Sequence, residues 1–379
     1  MADYKIFSSD SHVSEPPDLW TERMDKRLLF RAPRVMALQR GDKVEDFLIY
    51  EGFPPHPVSV GLAAAAGQGD KAAYRESGRG YNGALPGGWD PAARLKDQDI
   101  DGVEGEILHT TLGFRLFWLT DAALQRECFR VYNEWLSEFC SHDKQRLVGV
   151  ALISLYDIDN ACEDLKRAQA LGLRGGMIGL SPPPGSPPYS SHIYDPFWAT
   201  AQELEMPVVL HEITGGGESH LIIAYWDEHA SLGTVINHHE AQRTLGMLVL
   251  SGVLERFPRL KVISAENHAD WVPVFLNRLN KAFKNRPSSY ETKLSMPPVD
   301  YFHRQIYVTY MNEPDAIENR HIIGVDNLAF ATDYPHGAST YPNSQKVVER
   351  DFESVSEEER KKMIHDNILK AYGLTAVLA

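Results

Sequence analysis

Residues 327–336 read N-L-A-F-A-T-D-Y-P-H. Leu328, Ala329, Phe330 and Ala331 are small or apolar and suit a short strand buried on both faces. Pro335 offers no N–H to a ladder and stops the extended run, so Asp333 falls where a buried strand passes into its exit loop. A carboxylate there is costly unless it binds a cation, accepts hydrogen bonds or faces a positive charge. What meets Asp333 decides how the chain is read.

Similar short apolar runs recur along the chain. Strands are expected at 4–9, 105–110, 147–154, 175–180, 207–211, 261–265, 305–310 and 328–332. Between most of them lie segments with helical spacing, at 91–99, 121–142, 157–171, 196–204, 239–255, 270–284 and 356–372. In the segment 121–142, for example, Leu124, Cys128, Val131, Trp135 and Phe139 share one face. Eight such units predict an α/β fold with a parallel sheet closed into a (β/α)8 TIM barrel. Of the glycine-rich phosphate loops of open α/β sheets, G-x-G-x-x-G is missing at the first strand and G-x-x-x-x-G-K-S/T is missing throughout. The chain 1–379 is read as one domain. A long insertion at 30–90, after the first strand, is read as a lid or substrate wall, and a second excursion occupies 285–300.

The whole-chain properties narrow the partners. A formal net charge of −14 disfavours nucleic acid and anionic membranes. No apolar run reaches the roughly 18–20 residues of a membrane span, and the start M-A-D-Y-K-I-F has no signal-peptide pattern. Cys128, Cys140 and Cys162 are odd in number and lack metal-site spacing, so buried free thiols in a reducing cytoplasm are expected. A small-molecule substrate and a homodimer are the expected partners.

In a barrel the chemistry sits at the C-terminal strand ends. The polar residues there are Asp10 and His12, His109, His211 and Glu212, Glu266, Asn267 and His268, and Asp333 and His336. Asp10 and His12 are two apart in an extended chain and so point the same way. Taken singly, Asp10 and Asp333 would serve as caps and His211 as a core histidine. Together they form a plausible donor set for a divalent cation. His109 is read as a core histidine and His238-His239 as a solvated helix start. Glu266, Asn267 and His268 are adjacent and cannot all point inward. His336 is read as a loop anchor or substrate contact rather than a ligand.

Six segments taken in order resemble the amidohydrolase superfamily, in the amidohydrolase-related branch that includes aminocarboxymuconate-semialdehyde decarboxylase. They are D-S-H-V-S-E-P at 10–16, R-L-K-D-Q-D-I-D-G-V at 94–103, Y-D-P-F-W at 194–198, M-P-V-V-L-H at 206–211, S-G-V-L-E-R-F-P-R-L-K-V at 251–262 and F-A-T-D-Y-P-H at 330–336. The resemblance spans nearly the whole chain outside 30–88 and 284–300. It implies a barrel with one divalent metal, held by Asp10, His12, His211 and Asp333, with Zn²⁺ as the default and Mn²⁺ or Fe²⁺ compatible. The chain departs from the family's pattern at the first ligand, where Asp10 replaces a histidine, and at strand six. There the histidine's place falls on Glu266, with His268 two residues on.

The first functional reading is a metal-dependent hydrolase of an amide, ester, lactone or thioester. Asp333 would act as base toward a metal-activated water, and Glu266 or His268 would protonate the leaving group. Phe114 and Trp118 suggest an apolar part to the substrate. The alternative is a non-oxidative decarboxylase of an aromatic or unsaturated carboxylic acid, with Arg115 or Arg174 clamping the carboxylate. The hydrolase is ranked first because the strand-six histidine acid is displaced. A non-catalytic ligand-binding barrel is the third reading.

Overall fold

Eleven strands are found among the described residues of the computed structural model, which are 4–58, 66–67, 80–215, 235–285 and 293–374. In chain order they are β1 (Ile6–His12), β2 (Arg34–Arg40), β3 (Lys43–Ile49), β4 (His56–Pro57), β5 (Val103–His109), β6 (Leu147–Leu152), β7 (Gly175–Ile178), β8 (Val208–His211), β9 (Val262–Ala265), β10 (Ile306–Tyr310) and β11 (Leu328–Phe330). Eight pair in parallel in the order β1-β5-β6-β7-β8-β9-β10-β11. This is the expected α/β barrel, nearly closed. Helices cover its outside, and aspartates start three of them. Asp90 accepts from Ala92 N and Ala93 N, Asp121 from Leu124 N, and Asp157 from Asn160 N.

The seam between β11 and β1 is closed by individual hydrogen bonds. Ser9 Oγ donates to Ala329 O at 3.0 Å, and Thr332 N donates to Ser8 Oγ at 2.9 Å. Higher up, Asp333 N donates to Asp10 O at 2.9 Å and His12 N to Tyr334 O at 2.6 Å. Small serines at positions 8 and 9 let the first and last strands meet through side chains.

The barrel wall leaves no room at Gly149 in β6. A Cβ there would lie 2.7 Å from Leu173 and 2.8 Å from Leu136. Gly149→Ala is therefore expected to destabilise the fold by about 1–3 kcal/mol, measured by urea unfolding. An unchanged midpoint would mean that these leucines relax without cost.

The structure moves several expected boundaries. The first strand continues beyond 9 to His12, so Asp10 and His12 both lie on it. The segment 239–255 is two helices, His238–Leu250 and Val253–Arg256, separated at Gly252, where φ is +78°. The segment 356–372 is interrupted by a π-helical stretch, Lys362–Asp366. The insertion, for which no strands were expected, contains the antiparallel sheet β2-β3-β4. Its signal was the pair of alternating runs around Gly41-Asp42, a two-residue hairpin turn with Gly41 at φ +60°. The connection between β3 and β4 holds Tyr50 and Phe53, which stack at 4.9 Å, and Phe53 meets Trp118 at 5.8 Å. Within the second excursion, residues 286–292 lie outside the described residues, as do Gly216 and Gly217. The three cysteines are buried and free. No helix among the described residues is long and apolar enough to cross a membrane.

Candidate metal centre

Both central histidines are fixed by carbonyls. His12 Nδ1 donates to Thr110 O at 2.8 Å and His211 Nδ1 to Glu212 O at 3.1 Å. A carbonyl only accepts, so each Nδ1 carries a proton and each Nε2 faces the barrel mouth. His12 Nε2 lies 3.2 Å from Asp333 Oδ1, 3.4 Å from Asp10 Oδ1 and 3.5 Å from Glu266 Oε2. His211 Nε2 lies 3.4 Å from Glu266 Oε2 and 3.6 Å from Asp10 Oδ2. Both imidazoles are fully buried.

Two overlapping groups of possible ligand atoms result, each within a span of 4.8 Å. One is Asp10, His12, His211 and Glu266; the other is His12, Glu266, Asp333 and His336. Asp10 Oδ2, His12 Nε2, His211 Nε2 and both Asp333 oxygens are buried and make no hydrogen bond. Leaving so many polar atoms unsatisfied is expensive. A divalent cation held by either group would satisfy several of them, and neutral imidazole with carboxylate is a suitable donor set.

The charges are tightly balanced. Burial works to raise the Asp10 carboxyl, but His109 and His211 hold it well below the usual range. Burial likewise opposes ionisation of Asp333, yet His336 and His12 bring its pKa down to about 2. Burial lowers His12, and Asp333, Glu266 and Asp10 together lift it well above an ordinary histidine. Glu212 is pushed well up, first by burial and then by Glu266, while Asn237 Nδ2 donates to it.

The structure thus brings Asp10, His12, His211, Glu266 and Asp333 together. His268 is elsewhere: its Nδ1 lies 3.1 Å from Glu313 Oε1, outside both groups. His336 joins the second group; it stacks on His12 at 3.9 Å and places Nδ1 3.0 Å from Asp333 Oδ1. His109 is buried as expected of a core histidine, but its Nδ1 donates to Asp10 Oδ1 at 2.7 Å and so orients that carboxylate. His238 stacks on Trp271 at 6.0 Å and, with His239, begins a helix. Phe114 stacks on His211 at 4.3 Å. Arg115 is buried in the turn Leu112–Trp118, whereas Arg174 is exposed at the N-terminal side of β7, at the opposite end of the barrel from the mouth.

Two supporting residues lie in segments that carry the family resemblance, though nothing in those segments shows what they touch. Glu15 is fully buried and accepts from the backbone N–H groups of Thr111, Leu112 and Gly113 at 3.2, 2.9 and 3.1 Å, as well as from the Thr110 hydroxyl. It fixes the turn that presents Phe114. Arg94 is also fully buried. It donates to Glu106 Oε2 at 2.6 Å and to His12 O at 2.7 Å, and its guanidinium sits 4.3 Å over the Tyr334 ring.

Comparison with known proteins bears on the chemistry. The chain is 28% identical over 303 residues to a gamma-resorcylate decarboxylase of Polaromonas sp. (strain JS666 / ATCC BAA-500), covering 74% of this chain and 86% of the relative. A gamma-resorcylate decarboxylase of Rhizobium sp. (strain MTP-10005) is 28% identical over 277 residues, covering 68% and 82%. Among solved structures, an amidohydrolase from Mycobacterium avium subsp. paratuberculosis K-10 superposes with TM-score 0.78 at 24% identity, covering 98% of this chain and 100% of that one. A dihydroxybenzoic acid decarboxylase from Polaromonas sp. JS666, with bound manganese and the inhibitor 2-nitroresorcinol, gives TM-score 0.67 at 20% identity, covering 98% and 97%.

The curated relatives overturn the reading of the chain as a hydrolase, since they are decarboxylases. The displaced strand-six histidine was a poor discriminator, because it says which side chain occupies one strand end and not which bond breaks. Zinc as the default is likewise unsupported, whereas a single divalent cation fits the cluster and manganese is bound in the Polaromonas structure. The amidohydrolase family model matches residues 86–374, and the chain belongs to that family.

Proposed function

We propose that the chain is a metal-dependent, non-oxidative decarboxylase of an aromatic or unsaturated carboxylic acid. The observation that carries this reading is its alignment with gamma-resorcylate decarboxylases over 74% of its length, together with a convergent donor set at the barrel mouth. A bound divalent cation would anchor the substrate carboxylate and a neighbouring oxygen. Asp10, His12, His211 and Asp333 would hold it. Their carboxylate content suits Mn²⁺ better than the zinc default.

The remaining work falls to the protein. When the carbon–carbon bond breaks, its electron pair stays on the carbon that loses CO2, and a proton must take the place of CO2. Asp333, ionised at rest, would take up a proton relayed by His336 beside it and pass it to that carbon. Phe114, lying on His211, offers a face for a planar substrate. The described residues of the insertion would wall the pocket through the Tyr50–Phe53–Trp118 contacts, and the chain would act as one unit with it.

The test is CO2 release from 2,6-dihydroxybenzoate and isomeric hydroxybenzoates, run beside ester and thioester hydrolysis. CO2 should appear with Mn²⁺, stop after chelator treatment and return when Mn²⁺ is restored. Ester or thioester turnover without CO2 from any acid would refute the assignment.

A further inference from the structure

The strand-six position separates two candidates that the sequence left open. Glu266 follows β9 directly and belongs to both groups of convergent atoms. Its Oε2 lies 3.5 Å from His12 Nε2 and 3.4 Å from His211 Nε2. Two donors each about 2.1 Å from one ion stand roughly 3.0–3.5 Å apart at ordinary coordination angles. His268 cannot compete for the place, because Glu313 holds both its ring and the next backbone N–H, Ala269 N at 2.7 Å.

The backbone is bent to achieve this. Glu266 has φ +51° and His268 has φ +60°, left-handed conformations that side chains other than glycine rarely adopt. Such strain costs on the order of 1–3 kcal/mol and persists only where the surroundings enforce it. Here Glu266 N donates to Thr309 Oγ1 at 3.0 Å. Fully buried Asn267 donates to Leu210 O and Ala265 O at 3.0 and 2.8 Å. The reversal directs the Glu266 carboxylate at the two imidazoles.

Glu266 also differs from its neighbours in exposure. Its side chain is 28% exposed, against 0–4% for His12, His211, Asp10 and Asp333. It alone of these five can swing away without opening a buried void.

We infer that Glu266 is a fifth metal ligand of the resting site, taking the place of the family's strand-six histidine, and that it yields this position to an oxygen of the incoming substrate. The inference rests on the metal-centre part of the proposed function and not on which bond is broken. It makes the resting donor set three carboxylates and two imidazoles, which favours an oxygen-preferring ion such as Mn²⁺.

The test is Mn²⁺ binding to chelator-stripped protein by calorimetry, for wild type, Glu266→Gln, Glu266→Asp and His268→Gln. Glu266→Gln is expected to weaken Mn²⁺ binding on the order of 10–100-fold, and His268→Gln to leave it unchanged. Glu266→Asp, whose shorter arm cannot reach, should also lose affinity and serves if the glutamine variant fails to fold. Binding of 2-nitroresorcinol to the Mn²⁺-loaded Glu266→Gln protein should be as tight as to wild type or tighter, because no ligand must be displaced. Wild-type Mn²⁺ affinity in a folded Glu266 variant would overturn the assignment, and loss of inhibitor binding would overturn the exchange. Mn²⁺ binding without CO2 release would leave this inference standing and remove only the decarboxylase reading. Absence of Mn²⁺ binding in wild type would remove both.

Discussion

Replacing Asp333 by asparagine is expected to lower CO2 release by at least about a thousandfold, at the upper end of what a positioned proton donor contributes. The substitution keeps the size of the side chain but removes the group that can carry and transfer a proton. It also removes a negative charge beside His12 and His336, both of which lie within 3.2 Å of Asp333 Oδ1. The backbone stays in place through Asp333 N, which donates to Asp10 O. The loss should therefore appear in kcat at saturating Mn²⁺, with metal content by elemental analysis showing how much occupancy remains. A variant fully loaded with metal and within tenfold of wild-type kcat would exclude Asp333 as the proton donor.

The second large effect is on stability. Arg94→Met should destabilise the fold by about 3–5 kcal/mol, because it leaves Glu106 as a buried carboxylate without its cation. Glu106 would keep only Gln98 Nε2 at 2.6 Å and Ser11 Oγ at 3.0 Å. The carbonyls of His12 and Gly87 would also lose their guanidinium donor. The double variant Arg94→Met/Glu106→Gln should recover much of the loss, since no buried charge then remains unpaired. Urea unfolding of the two single variants and the double variant gives the coupling directly. A cost below about 1 kcal/mol for Arg94→Met would show that Glu106 takes up a proton or water instead.

The fold was legible because each barrel strand carries its own local signal. Runs such as L-V-G-V-A-L at Leu147–Leu152 and V-V-L-H at Val208–His211 need only their own residues to be read as buried strands. The convergence of polar residues at the mouth was legible for a related reason: strand ends place them there. The sequence could not show which way Glu266 and His268 turn, because the left-handed backbone at both breaks the alternation of an extended chain. The role of Glu15 was hidden for another reason, since most of its partners are backbone amides that leave no mark on residue identity. Arg94 connects to Tyr334, which lies far along the chain, and no local pattern spans that distance. The reaction type was misread because its determinants are loops and bound groups, on which one strand-end histidine has little bearing.

The barrel seam has one more consequence. Asp10 and His12 lie on the first strand and Asp333 just past the last, on opposite sides of a junction joined by single hydrogen bonds. A cation held among them would act as a rivet between the two ends of the polypeptide. Its binding energy would then fall on this junction and add to the stability of the closed form. The part of the rivet that crosses the junction is complete only when Asp333 is in place beside His12.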